Sequence, residues 1–274
     1  MNKVIFIDFN IFMFKSIFVW EKNRAIPPTY TTLSMILACL KAIGCHPDDL
    51  IILALDSPKG SWRRDIDSAY KANRKENREK HDIDWDLAFS LFKDFIRQLE
   101  VSTPFVKIEI DRLEADDIIS AGCRFYKDRE VIIVSSDSDY EQLAEYSHVK
   151  ILTPKNKHYK IIKNPSLILA KKIKKETTDN LVSEILTEED YIRREKIVTL
   201  LNLPEDVENK VIEILSRTEQ NSQYDLDKLP FKRKMAERYF EIYNEDKITE
   251  KIAEKIETKI KKRKLLKKQI KLHL

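Results

Sequence analysis

Seven carboxylates stand at, or soon after, the ends of short apolar runs. Asp8 follows 4–7 and Asp56 follows 50–55. The pair Asp137 and Asp139 follows 131–136, and Glu114, Asp116 and Asp117 cluster just beyond a fourth run at 105–110. In an open α/β sheet the carboxyl ends of parallel strands face one crevice. Acids gathered there repel one another unless protons or cations neutralise them. An all-oxygen donor set of this kind suits Mg²⁺ or Mn²⁺. The first expectation is therefore a metal-dependent site for phosphate chemistry.

Spacing refines the set. Glu114 and Asp117 are three apart, so on a helix they share a face, whereas Asp116 points elsewhere and is expected to act from behind the ligands. Asp137 and Asp139 point to one side if the chain is extended there. Ligands for one ion are plentiful. A second ion needs more acids, and Glu176 with Asp179, at helical spacing, are the candidates. Asp111 reads instead as the N-cap of the following helix.

A basic, aromatic stretch follows Asp56 directly: Ser61-Trp62-Arg63-Arg64, then Tyr70-Lys71-Ala72-Asn73-Arg74, with Lys75, Arg78 and Lys80 beyond. Alone it would be a solvated charged helix. Beside an acidic metal site it suits a nucleic acid, with Arg63, Arg64, Lys71, Arg74, Lys75 and Arg78 meeting phosphates and an aromatic ring stacking on a base.

The elements that must position these residues alternate. Strands are expected at 4–7, 50–55, 105–110, 131–134 and 148–152, and helices at 31–42, 85–99, 113–126 and 139–146. This pattern predicts a mostly parallel, helix-covered α/β sheet. After about residue 165 the runs turn helical (166–175, 188–201, 205–216, 232–243 and 248–272), and all three glycines lie in the first half. The expected organisation is a catalytic domain over 1–165 with a basic helical arch near 61–85, a helical region over 166–250, and a basic amphipathic helix over 251–274.

Net charge is +4 over 274 residues, but 251–274 holds ten Lys or Arg against two Glu, leaving the remainder at −4. That tail reads either as a helix along duplex phosphates, or docked on a replication partner such as a clamp or single-strand-binding protein, or as a terminal helix with a lysine-rich solvent face. Cys39, Cys45 and Cys123 make an odd count without CxxC spacing, which argues against a disulfide framework and fits a reducing cytoplasm. Cys45-His46 has no further ligand nearby and reads as a helix end. No run approaches the roughly 20 apolar residues of a membrane span, and no secretory pattern is expected at the N-terminus.

Four motifs occur in order: Ile7-Asp8-Phe9-Asn10; Trp62-Arg63-Arg64 through Tyr70-Lys71-Ala72-Asn73-Arg74; Glu114-Ala115-Asp116-Asp117; and Ser136-Asp137-Ser138-Asp139-Tyr140-Glu141-Gln142-Leu143. Together they resemble the 5′-nuclease family of flap endonucleases and polymerase-associated 5′-exonucleases, nearest its phage ribonuclease H branch. The resemblance implies a PIN-like sheet and 5′-end-directed hydrolysis of phosphodiesters with divalent ions, two being expected; a monomer in the cytoplasm (the host's if phage-encoded) is expected as well. It gives the seven carboxylates metal-site roles and makes Lys71 and Arg74 phosphate-steering cations, with Arg64 grouped beside them and Tyr70 stacking near the scissile nucleotide. The segment 174–181 resembles a worn second-metal motif, which implicates Glu176 and Asp179. The family's glycine-rich helix–three-turn–helix has no glycine here, so a shortened duplex-binding element is expected. The rivals are a PIN-type single-strand ribonuclease and a catalytically weakened structure-specific DNA-binding protein.

Overall fold

The computed structural model describes residues 2–174 and 187–232, together with Ala236 and Phe240. Strands β1 (Val4–Asp8), β2 (Leu50–Leu55), β3 (Val106–Glu109), β4 (Val131–Val134), β5 (Val149–Thr153) and β6 (His158–Tyr159) form one sheet. Its order is β3-β2-β1-β4-β5-β6, parallel throughout except for β6. β1 is buried along its whole length, as expected of a central parallel strand covered on both faces. Its side chains alternate: Ile5 and Ile7 enter one core, Val4 and Phe6 the other.

Helices α1 (Phe9–Lys22), α2 (Pro28–Ile43) and α5 (Trp85–Ser102) supply the first core, through Phe9, Phe12, Leu37 and Phe92. Helices α6 (Ala115–Phe125) and α9 (Glu205–Leu215) supply the second, through Ile118, Ile119, Val207 and Val211. Gly122 is required by this packing, since a Cβ there would stand 2.2 Å from the Phe6 ring. Short helices α3 (Arg63–Ile66) and α4 (Arg74–Glu79) follow β2. Beyond β6 the described chain is helical, as α7 (Pro165–Lys174), α8 (Glu188–Val198), α9 and a 3₁₀ turn at Leu226–Lys228.

The mostly parallel α/β sheet matches the sequence pattern, with β6 as an additional antiparallel edge strand, and three further local features differ from it. Helix α1 begins at once after β1 and was not anticipated; its sequence FNIFMFKSIFVWEK is apolar on several faces, which blurs the 3.6-residue contrast. The segment Asp139–Glu145 is a 3₁₀ rather than an α helix. Asp111 is not a cap: it is exposed and pairs with Lys59 at 2.5 Å, while Glu114 is the N-cap of α6. The expected helices at 232–243 and 248–272, and the tail 251–274 as a whole, lie outside the described residues apart from Lys232, Ala236 and Phe240.

Candidate metal centre

Because β1, β2 and β4 run parallel and in register, their carboxyl ends deliver acids to one edge. Asp8 closes β1 opposite Ala54, Asp56 lies just past β2, and Asp137 lies just past β4. Helix α6 starts at the same edge and brings Glu114 and Asp116. A cavity of about 420 Å³ opens there, lined by Asp8, Asp56, Glu114, Asp116 and Asp137. Lys71, Asn73, Arg74 and Arg78 from the segment after β2 line the same cavity.

Neighbouring polar groups hold these acids in place. Ser135 Oγ donates to Asp8 Oδ2 at 2.9 Å and accepts from the Asp137 amide at 3.0 Å. The Ala115 amide donates to Asp56 Oδ1 at 2.9 Å. Burial, then the charges of Asp56 and Asp137, push Asp8 up to about 7. Burial pushes Asp116 up to about 8, with the charges of Asp117 and Glu114 adding to it. Asp56 is raised chiefly by burial as well. Glu114 goes the other way: burial alone would raise it, but Lys71 and Arg63 hold it down to about 2.

Behind the cavity wall lies a second layer built on Arg63, which is fully buried. Its Nη1 donates to Glu114 Oε2 at 3.1 Å and to Asp117 Oδ2 at 3.0 Å, and its Nε donates to the Ile197 carbonyl at 2.9 Å. Trp62 Nε1 donates to Asp117 Oδ2 at 3.1 Å. The Asp117 carboxylate also accepts from the Glu114 amide at 2.9 Å, completing a capping box at the start of α6. Tyr70 is buried, and its phenol donates to Glu114 Oε2 at 2.8 Å. Lys71 pairs with Glu114 through a left-handed backbone, φ 55°, a conformation unfavourable for a residue with a side chain.

This placement departs from the spacing argument at several residues. Asp116 lines the cavity, whereas Asp117 is turned inward, because the cap position N3 directs its carboxylate back to the helix start. Asp139 accepts no place in the lining either; it opens the 3₁₀ helix and pairs with Lys172. Arg63 and Tyr70 are buried in the ion network and so offer nothing to a phosphate or a base. Arg64 is exposed and outside the lining, while Lys71, Arg74 and Arg78 are within it. Glu176, Asp179 and the side chain of Lys75 lie outside the described residues.

The sequence reading missed one wall altogether. Asn10, Phe14 and Phe18, spaced by four along α1, line the cavity with His81, Trp85 and Tyr140. The repeat at four was the available signal, hidden by the general apolarity of the helix. Arg78 lies among these rings, 5.8 Å from the Phe14 centroid and 5.9 Å from that of Trp85, within the range of a cation–π contact.

The donor set fits a hard divalent cation. All cavity acids present oxygen only, and Oδ1 of Asp116 is buried without a hydrogen bond among the described residues. Carboxylate oxygens of Glu114, Asp116 and Asp117 can lie within 4.8 Å of one another. Asp8, Asp56 and Asp137 have no ion pair among the described residues, and Asp116 meets one cation, Arg63 Nη1 at 3.5 Å; these four are the residues left available, since Glu114 and Asp117 are held by closer cations and by the helix cap.

Comparison with known proteins agrees with this architecture. A family model described as 5′-3′ exonuclease, N-terminal resolvase-like domain, matches residues 3–177. Ribonuclease H of Enterobacteria phage T4 is 34% identical over 139 residues, which are 48% of this chain and 46% of that protein, so the match spans about half of each. Among solved structures, a phage T5 protein co-crystallised with metal ions superposes with a TM-score of 0.62 at 15% identity, over 80% of this chain and all of that one. A phage T5 5′-exonuclease with zinc bound gives 0.62 at 14% identity, over 78% of this chain and 98% of the other. A phage T5 flap endonuclease in complex with DNA and metal ions gives 0.55 at 15% identity, over 87% and 88%. These likenesses share the fold, and the match over 3–177 covers more than half of the chain. The protein therefore belongs to the 5′-nuclease family, through its 5′-3′ exonuclease, N-terminal resolvase-like domain.

Proposed function

We propose that this chain is a divalent-metal-dependent 5′-nuclease that hydrolyses phosphodiesters at the 5′ ends of RNA primers or DNA flaps during replication or repair. The observation that carries this reading is one cavity lined both by Asp8, Asp56, Asp116 and Asp137 and by Lys71 and Arg74. Acids alone would serve many reactions; acids and cations lining one cavity suit a phosphodiester held between them. DNA and RNA–DNA duplexes with free 5′ ends are the substrate class, in keeping with the phage ribonuclease H and the DNA-bound flap endonuclease that the chain resembles.

Mg²⁺ is the expected ion, with Mn²⁺ as its substitute, held by Asp8, Asp56, Asp116 and Asp137. Bound there, such ions supply an activated water and a Lewis acid for the leaving oxygen. The proposed second ion calls on Asp139, Glu176 and Asp179, of which Asp139 is paired with Lys172. Lys71 and Arg74 draw the scissile phosphate over the acids and offset the charge that grows on its oxygens. Ser135 and the Ala115 amide keep Asp8 and Asp56 turned toward the cavity. Water adds to phosphorus, the bond to the 3′-oxygen breaks, and that oxygen takes up a proton.

The test uses labelled 5′-flap and RNA-primed duplexes with Mg²⁺, Mn²⁺ or EDTA. Short 5′ fragments with metal and none with EDTA are expected. Asp137→Asn should abolish cleavage and reduce the rise in melting temperature that Mn²⁺ brings. Metal-independent cleavage, or normal turnover by Asp137→Asn, overturns the assignment. Cutting of single-stranded RNA alone would favour a PIN-type ribonuclease, and binding without cutting a DNA-binding protein.

A further inference from the structure

The two oxygens of Glu114 are held very differently. Oε2 accepts three hydrogen bonds, from Ser61 Oγ at 3.1 Å, Arg63 Nη1 at 3.1 Å and the Tyr70 phenol at 2.8 Å. All three donors belong to buried residues. Oε1 has one partner among the described residues, the Lys71 ammonium. The carboxylate is therefore anchored through one oxygen, while the other meets only a lysine from the cavity lining.

Lys71 stands where the acids need a cation. Its side chain is only 11% exposed, and its charge bears on Asp56 and Asp116 as well as on Glu114. Among carboxylates that repel one another, such a charge is compensating. Lys71 keeps this place with a left-handed backbone, φ 55°. A residue with a side chain holds that conformation only where its surroundings fix it, and such residues gather at sites that switch. Arg74 lines the same cavity but has no ion pair among the described residues.

We propose that Lys71 is a stand-in for the metal: it occupies Glu114 Oε1 in the metal-free protein, yields that oxygen when a divalent ion enters, and then turns to the substrate phosphate. The inference rests on the nuclease reading of the cavity. Oε2 stays with Ser61, Arg63 and Tyr70 throughout, so Glu114 keeps its position during the exchange. A divalent ion that prefers hard oxygen donors outcompetes an ammonium of single charge for Oε1, and it repels that ammonium once bound. The exchange joins two events. Without the ion, the charge of Lys71 is spent on the acids; with the ion in place, the same charge is released for phosphate. Each ligand therefore favours the other, and the coupling is reciprocal.

The experiment measures Mn²⁺ binding to the DNA-free protein, with free Mn²⁺ read by electron paramagnetic resonance. The variants are Lys71→Met and Lys71→Arg. The control is Arg74→Met, which removes the same unit charge from the same cavity lining. The exchange predicts a Kd for Mn²⁺ lower by about tenfold or more in Lys71→Met, a tenfold change being about 1.4 kcal/mol. Lys71→Arg and Arg74→Met should stay within about threefold of the parent, on the same scale. A second measurement needs no variant: acylation of Lys71 by an N-hydroxysuccinimide ester, followed by mass spectrometry of the digested parent. Lys71 should react several times faster with Mn²⁺ than with EDTA, while the exposed Lys41 reacts alike in both. An unchanged or higher Kd in Lys71→Met, equal tightening in Arg74→Met, or Lys71 labelling that Mn²⁺ does not raise overturns the proposal. If the parent binds Mn²⁺ and cuts while either readout stays flat, the exchange fails and the nuclease reading stands. If neither the parent nor Lys71→Met binds Mn²⁺, both fail.

Discussion

Arg63 Nη2 lies 2.8 Å from Asp117 Oδ1, and both side chains are cut off from solvent. A guanidinium and a carboxylate taken from water at such cost are retained only where good geometry and further hydrogen bonds compensate them. Here Nη2 and Oδ1 meet as an ion pair without a hydrogen bond among the described residues, and the hydrogen bonds run through Arg63 Nη1 and Nε and Asp117 Oδ2, to Glu114, the Ile197 carbonyl, Trp62 and each other. The pair ties the segment after β2 to the start of α6 and the end of α8. It thereby sets where Lys71 and Asp116 stand.

Arg63→Met should lower stability by about 3–5 kcal/mol, because Asp117 and Glu114 are left buried without their cation. Arg63→Lys should recover little, since an ammonium does not reproduce the fork of donors. Urea denaturation measures both. A loss below about 1 kcal/mol for Arg63→Met would assign the network a minor role.

Asp116 and Asp117 are neighbours in sequence with different expected roles. Asp116→Asn should keep or raise the metal-free melting temperature, because burial and the charges of Asp117 and Glu114 disfavour its carboxylate by more than Arg63, 3.5 Å away, offsets. It should also abolish cleavage and diminish the Mn²⁺-dependent rise in melting temperature. Asp117→Asn should destabilise the fold by about 1–3 kcal/mol through loss of the cap and the ion pair. Circular dichroism melts with and without Mn²⁺ separate the two.

The metal-free protein should lose stability as pH rises from about 4 to 8. Asp8 and Asp116, pushed up to about 7 and about 8, keep their protons in the folded state where the unfolded chain has released them. The folded state then binds more protons, and unfolding becomes easier with increasing pH. Glu114, held down to about 2, acts in a separate window: its contribution is present above about 4.5 and fades as pH falls toward 2. Melts from pH 5 to 8 should therefore decline in EDTA. Added Mg²⁺ should raise the melting temperature more at pH 8 than at pH 5.5, where protons compete for the same oxygens.

Tyr70 and Lys71 both reach Glu114, yet their removal should read out differently. Tyr70→Phe leaves a buried carboxylate short of one donor and should lower stability by about 1–3 kcal/mol with KM close to the parent value. Lys71→Ala should lower kcat on the order of a hundredfold, as loss of one preorganised cation facing the reacting phosphate does. A large KM change in Tyr70→Phe would instead indicate contact with substrate.

Much of the frame was legible in the residues alone. A strand that is apolar over four to six residues and then meets an acid specifies both its burial and the edge at which its carboxylate emerges; both are local consequences of chain sequence. Asp8, Asp56 and Asp137 could be placed on that basis, and position after β2 marked the whole basic run as the cationic partner, while the choice of Lys71 and Arg74 within it rested on the family resemblance. The assignment of Asp116 to the cavity and of Asp117 to the interior could not, because it depends on cap geometry at α6 and on a guanidinium from more than fifty residues away. Arg63 and Tyr70 looked like surface groups for the same reason: a charged or phenolic side chain is buried only where distant partners satisfy it. Helix α1 was hidden by its own apolarity, since a helix packed on several sides shows little periodic contrast. Sequence thus determined which chemistry collects at the sheet edge. Tertiary contacts decided which of those groups face a ligand and which hold the others in place.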